Sequence, residues 1–121
     1  MTRRFAIQEH TVGPDDRHYD LMIEDSGVLV TFQLEAPPGE GRVLGRCSFD
    51  HRLRYLSYEG ELSGGRGTVR LWDHGQATDE QGDPRAARYA ARFAGQRLSG
   101  RWVLQRERDD AIACQPLEGS A

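Results

Sequence analysis

His10 and His18, two of the four histidines, stand eight residues apart, and Asp20 follows the second by two. In Arg17-His-Tyr-Asp-Leu-Met-Ile-Glu24, Tyr19, Leu21 and Ile23 occupy the alternate apolar positions, so on a strand His18 and Asp20 point to one face and the apolar three to the other. His10 ends a short apolar run from Phe5, and the turn-rich Gly13-Pro14-Asp15-Asp16 can fold that run back beside the second. Two imidazoles and a carboxylate would then converge, a donor set that suits a divalent transition metal with positions left for water or substrate. Three polar residues on the wet face of an ordinary hairpin fit the same spacing.

The elements that must position these residues read as short strands. Phe5 to His10 and His18 to Glu24 are followed by a tight turn at Asp25-Ser26-Gly27 and a third strand, Val28 to Leu34, with Val28, Val30, Phe32 and Leu34 alternating. The prolines of Glu35-Ala-Pro-Pro-Gly-Glu-Gly41 remove ladder donors and place that stretch in a surface loop. Arg42 to Phe49 resumes alternation with Val43, Cys47 and Phe49 on one face, and His51 and Tyr55 share a face if the strand stays regular. Ser63-Gly64-Gly65-Arg66-Gly67 lacks the Gly-Lys-Ser/Thr ending and following helix of a phosphate loop and reads as a glycine turn. A strand from Thr68 to Asp73 follows, with His74 in the next turn and a polar loop to about Pro84. Arg85 to Ala94 mixes helical composition with strand alternation and is assigned as strand; Arg97 to Arg106 is a last strand with Leu98, Trp102 and Leu104 inward. The expectation is one all-β domain over residues 1–121, with its core in about 5–106 and a weakly patterned tail in 107–121.

Composition narrows the function classes. At 121 residues the chain fits one domain with one core. The two cysteines, Cys47 and Cys114, form neither a disulfide framework nor a zinc motif, which points to a reducing compartment. The N-terminus lacks the apolar core of a secretory signal and no membrane span is present, so a cytoplasmic location is expected. Formal net charge is −3, which argues against indiscriminate binding along nucleic acid. The charge is uneven: residues 9–40 hold eight acids against one Arg, and residues 85–108 hold seven Arg against one Glu. Such a surface could present phosphate to one side and a metal to the other. All 16 basic residues are Arg, which suits bidentate phosphate contact, although a GC-rich genome yields the same bias.

Taken in order, Phe5-Ala-Ile-Gln-Glu-His10, Arg17-His-Tyr-Asp-Leu-Met-Ile-Glu24, Gly27-Val-Leu, Asp50-His51 with Tyr55, Tyr58-Glu59-Gly60, Gly67-Thr-Val-Arg-Leu-Trp-Asp73 and Leu98-Ser-Gly-Arg-Trp-Val-Leu104 resemble the 3′-phosphoesterase domain of bacterial DNA ligase D. The resemblance implies a small closed β-barrel with a crescent-shaped groove. It also implies a divalent metal, manganese first, used to trim 3′-ribonucleosides and 3′-phosphates from DNA or RNA/DNA ends in DNA repair, with repair proteins as further partners; the imidazole ligands also suit zinc. On the family's pattern His10, His18 and Asp20 are metal ligands, and His51 and Tyr55 contact the phosphate. The pattern is departed from at Met22, where the family carries an Arg that grips the phosphate, and the interval from His10 to His18 is longer than the family's. Met22 favours the alternative of a non-catalytic module that recognises nucleic-acid ends or a partner protein. If the site is catalytic, Met22→Arg is expected to raise a weak activity.

Overall fold

The computed structural model describes residues 1–39 and 41–117. Its strands are β1 (Thr2–Thr11), β2 (Arg17–Asp25), β3 (Val28–Leu34), β4 (Val43–Cys47), β5 (Gly60–Glu61), β6 (Thr68–Gln81), β7 (Arg88–Gly95), β8 (Ser99–Arg106) and β9 (Ala111–Pro116). All pairings are antiparallel, and β1-β2-β3-β4-β9-β8-β7-β6 closes into a ring because β6 also pairs with β1. The expected all-β barrel is present, and closure removes the sheet edges that would otherwise template aggregation. Among the described residues no helix is long and apolar enough to cross a membrane.

The strand alternation fills the barrel. Phe5 and Ile7 of β1, Tyr19, Leu21 and Ile23 of β2, and Val30, Phe32 and Leu34 of β3 point inward to meet Tyr89, Phe93, Trp102, Leu104 and Ile112. Three expectations are corrected. β6 does not stop at Asp73 but runs on to Gln81, because β1 pairs with it as far as Thr78 and β7 takes its other edge from Gly75. His74 is therefore an exposed residue on a strand, opposite Ala6, and not part of a turn. The tail supplies β9, which seals the barrel between β4 and β8 with Ile112 and Cys114 in the core. Residues 118–121, the end of the expected tail, and Glu40 of the proline loop lie outside the described residues.

Polar groups lock the barrel at two seams. Asp73, 4% exposed, accepts backbone N–H bonds from His74, Gln96, Arg97 and Leu98 at 2.7–3.0 Å, so one carboxylate fixes the turn between β7 and β8. Arg3, 7% exposed, bridges Asp25 and Asp79 at 2.9 Å each, and Tyr89 donates to Asp79 at 2.7 Å. Burial alone would push the Asp79 carboxyl up, but the hydrogen bonds from Arg3 and Tyr89 outweigh it and hold the group below the usual carboxylate range. A carboxyl lowered on folding contributes stability that is complete above its unfolded value, about 3.9, and is lost as pH falls through the folded value. The melting temperature should therefore drop as pH is taken below about 4, and in Arg3→Met that acid-induced drop should flatten. Thermal melts of both proteins between neutral and acid pH check this; parallel curves would contradict it.

Candidate metal and phosphate site

The site lies on the outer face of the barrel, where the residues alternating with the core of β1 and β2 point. The β1–β2 hairpin pairs His10 with His18 and Gln8 with Asp20, and Val12 N–H bonds the Asp16 carbonyl to close the turn. His10 Nδ1 consequently sits 2.9 Å from His18 Nε2, while Asp20 lies 3.7 Å from the first and 3.3 Å from the second. One ligand atom from each residue falls within 4.8 Å of the others, so the set could hold one ion. Two donors each about 2.1 Å from an ion at roughly a right angle would stand about 3.0 Å apart, close to what the imidazoles show.

His10 Nε2 lies 2.7 Å from the Arg66 carbonyl, which can only accept, so Nε2 carries the proton and Nδ1 turns its lone pair toward His18 and Asp20. That contact depends on the glycine turn. Gly67 adopts φ +91°, and a Cβ there would lie 2.1 Å from the Thr11 carbonyl oxygen, so only glycine lets the turn approach β1 this closely. Asp20 is 6% exposed, and among the described residues its only ionic partners are the two imidazoles. A buried carboxylate in that setting is stabilised by positive charge placed between the three side chains.

His51 reaches the same face through a register shift. Phe32 pairs with Cys47, and Leu29 bridges to His51: three residues back along β3 against four forward on its neighbour. One extra residue bulges the chain, and a shift of one moves every later side chain to the other face. The expectation that Val43, Cys47 and Phe49 share a face is corrected accordingly. Val43 and Cys47 pack on the core, whereas Phe49 is 73% exposed. His51 Nδ1 is 3.0 Å from the Phe49 carbonyl and 2.9 Å from Thr31 Oγ1, whose own proton goes to the Leu29 carbonyl. Both neighbours accept, so the proton is on Nδ1 and Nε2 is left for a ligand.

Beyond the bulge the strand gives way to a 3₁₀ turn, Leu53–Leu56, which folds over the outer face. It packs on a second apolar cluster of Ala6, Met22 and Leu29, with Leu53, Tyr55, Leu56 and Leu71 against it. The residue sequence reasoning missed is Gln8. Only 1% exposed, its side-chain amide donates to the carbonyls of Tyr55 (3.1 Å) and Tyr58 (2.9 Å) and ties the turn to β1. The available signal was its outward register, two residues before His10. Gln8→Leu would leave two carbonyls without a donor and free the turn that carries Tyr55. A loss of about tenfold in kcat/KM with the fold retained is the expected result, measured beside circular dichroism.

Sheet and turn enclose a cleft of about 860 Å³ whose lining includes Gln8, His10, Asp20, His51, Tyr55 and Arg66. Four of the five predicted site residues line it. His18 does not; its ring reaches His10 and Asp20 from the flank of the cluster. Arg52 and Arg54, which strand alternation would turn away, line the cleft because the bulge and 3₁₀ turn abolish that alternation. Arg54 lies over the Tyr55 and Tyr58 rings, 5.3 Å from each centroid. Among the described residues, no ion pair involves Arg52, Arg54 or Arg66. No residue of the arginine-rich run 85–108 lines the cleft, and three of its arginines are held in ion pairs, Arg85 with Asp25 and Asp50, Arg92 and Arg101 with Glu80.

Fold and site together define a small antiparallel barrel that carries a His-His-Asp donor cluster beside an arginine-lined cleft on its outer wall. The sequence profile of the DNA Ligase D 3′-phosphoesterase domain matches residues 8–106. The chain is 32% identical over 114 residues to the multifunctional non-homologous end joining protein LigD of Mycobacterium bovis and to the multifunctional non-homologous end joining DNA repair protein LigD of Mycobacterium tuberculosis, covering 88% of this chain and 15% of each relative. Its identity to the LigD of Mycolicibacterium smegmatis is 33% over 84 residues, 64% of this chain and 11% of the relative. The chain belongs to the DNA ligase D 3′-phosphoesterase domain family, and it spans about 15% of the length of the first of these relatives.

Proposed function

We propose that this chain is a divalent-metal-dependent phosphoesterase that removes 3′-ribonucleosides or 3′-phosphates from DNA or RNA/DNA ends during repair. The observation that carries the reading is the convergence of His10 Nδ1, His18 Nε2 and the Asp20 carboxylate beside the cleft that His51 and Tyr55 line. Two neutral imidazoles and a carboxylate suit manganese and also accept zinc. A bound ion would polarise a phosphoryl oxygen and lower the pKa of a bound water.

The remaining work falls to the chain's own side chains. His51, its Nδ1–H already committed, donates to a phosphate oxygen from Nε2–H in its protonated form and can then hand that proton to the departing oxygen. Tyr55 stands edge-on to His51 with ring centroids 5.7 Å apart and supplies a phenolic donor to the same oxygens. Arg52, Arg54 and Arg66 surround the cleft with positive charge that can hold the phosphate in place of the family's arginine at position 22. The relatives' description as end joining DNA repair proteins supports DNA ends as the substrate class and repair proteins as partners.

The experiment is a manganese-supplemented assay of purified protein on primers ending in a ribonucleotide, a 3′-phosphate or a plain hydroxyl. Trimming of the first and dephosphorylation of the second, with the third untouched, is the expected result. One observation favours the second reading of a non-catalytic end-binding module: Met22 is fully buried and offers the cleft no charge. That reading predicts binding of all three ends and turnover of none with either manganese or zinc.

A further inference from the structure

The bulge that brings His51 to the outer face also holds an aromatic ring in solvent. Phe49 is 73% exposed, a burial forgone that is worth roughly 2 kcal/mol for a side chain of this size. Among the described large hydrophobic residues only Met1, at the chain end, is more exposed. A single exposed apolar residue ordinarily needs no explanation. This one, however, lines the cleft, and its ring lies parallel to the His51 imidazole, 5° between planes and 5.0 Å between centroids. One face of Phe49 is covered by the imidazole proposed to meet phosphate. Arg52 and Arg54 follow within five residues and line the same cleft.

Flat aromatic faces beside cationic side chains are how proteins hold single-stranded nucleic acid: the bases stack while the cations track the phosphates. A nucleotide whose phosphate is held at His51 carries its base one sugar away, and the ring already stacked on His51 is the apolar surface at hand. We propose that Phe49 is a stacking platform for a nucleobase at the 3′ end, so that the cleft selects ends bearing an unpaired base over abasic ends. The inference rests on the phosphoesterase reading of the cleft and names the feature of the end that is recognised.

Phe49 lends itself to a clean substitution. Its contribution to fixing the His51 tautomer is made by its carbonyl, which Phe49→Ala keeps. Binding is measured without added metal, using fluorescein-labelled single-stranded oligonucleotides ending in a 3′-ribonucleotide or in the same residue without its base. Phe49→Ala should weaken the first about ten- to a hundredfold and leave the second unchanged, as expected for loss of one stacked base. Phe49→Trp should restore affinity, and its fluorescence, read as the difference from wild type, should be quenched by the base-bearing oligonucleotide alone.

Equal weakening on both oligonucleotides would assign Phe49 a role in supporting His51 and overturn the platform. So would unchanged binding of the base-bearing oligonucleotide, or failure of the wild type to bind it. The two readings separate cleanly. If the wild type leaves every 3′ end intact with manganese while base-dependent quenching of Phe49→Trp persists, the phosphoesterase reading fails and the platform stands. If hydrolysis proceeds and Phe49→Ala changes neither it nor binding, the platform fails and the phosphoesterase reading stands.

Discussion

His18→Ala is expected to remove metal-dependent hydrolysis almost completely, by more than about a hundredfold, while the barrel stays folded. The two effects separate because His18 lies on the outer face at the flank of the cluster, its side chain 17% exposed, whereas the inward residues of its strand, Tyr19 and Leu21, carry the core packing. Loss of the ring removes Nε2, one of the three donor atoms that converge within 4.8 Å, and leaves His10 and Asp20 as a two-donor site. Changes to groups that merely orient metal ligands cost ten- to a hundredfold in affinity or activity, so loss of a ligand itself should cost more. Titration calorimetry with manganese and with zinc should show one ion per chain in the wild type and none at comparable concentrations in the variant. Binding releases whatever protons the imidazoles hold, so the apparent affinity should weaken on acidification. Unchanged binding after His18→Ala would exclude the proposed ligand set.

How much of this could be read in the sequence followed from how regular the backbone is at each point. Residues 5–34 were legible because the period of two holds without interruption from β1 through β3. The register of a tight hairpin then fixes which side chains meet, and His10 falls opposite His18. Past Cys47 the same rule misleads. A single bulged residue inverts the faces, so alternation predicted Phe49 inward and turned Arg52 and Arg54 away from the site they line. No composition signal marks that bulge, because the segment has neither Gly nor Pro. β9 was missed for a different reason: Ala111-Ile-Ala-Cys-Gln is short, two of its apolar residues are alanines, which favour helix over strand, and its strand identity comes from the two neighbours it joins. Gln8 looked like any polar residue on a wet face, since a covering turn from residues 53–58 is a long-range fact.

The same covering turn reverses the expectation for Met22→Arg. On spacing, Met22 stands where a guanidinium could enter the site, and restoring it should strengthen the phosphate contact. The structure places Met22 beyond the cleft lining, fully buried beside Ala6 and Leu29 with Leu53, Tyr55 and Leu56 packed on the cluster. None of those side chains offers a carboxylate to a buried cation, and an unpaired buried charge costs several kcal/mol. To reach the cleft the arginine would have to lift the Leu53–Leu56 turn, and with it Tyr55. Met22→Arg should therefore lower stability by about 3–5 kcal/mol and reduce activity, whereas Met22→Leu, which conserves volume, should cost less than about 1.5 kcal/mol. Urea unfolding gives the stabilities, and the primer assay run well below the unfolding transition gives the activities. A Met22→Arg protein as stable as the wild type and faster on 3′ ends would show that the turn opens to admit the guanidinium, and would return position 22 to the phosphate site.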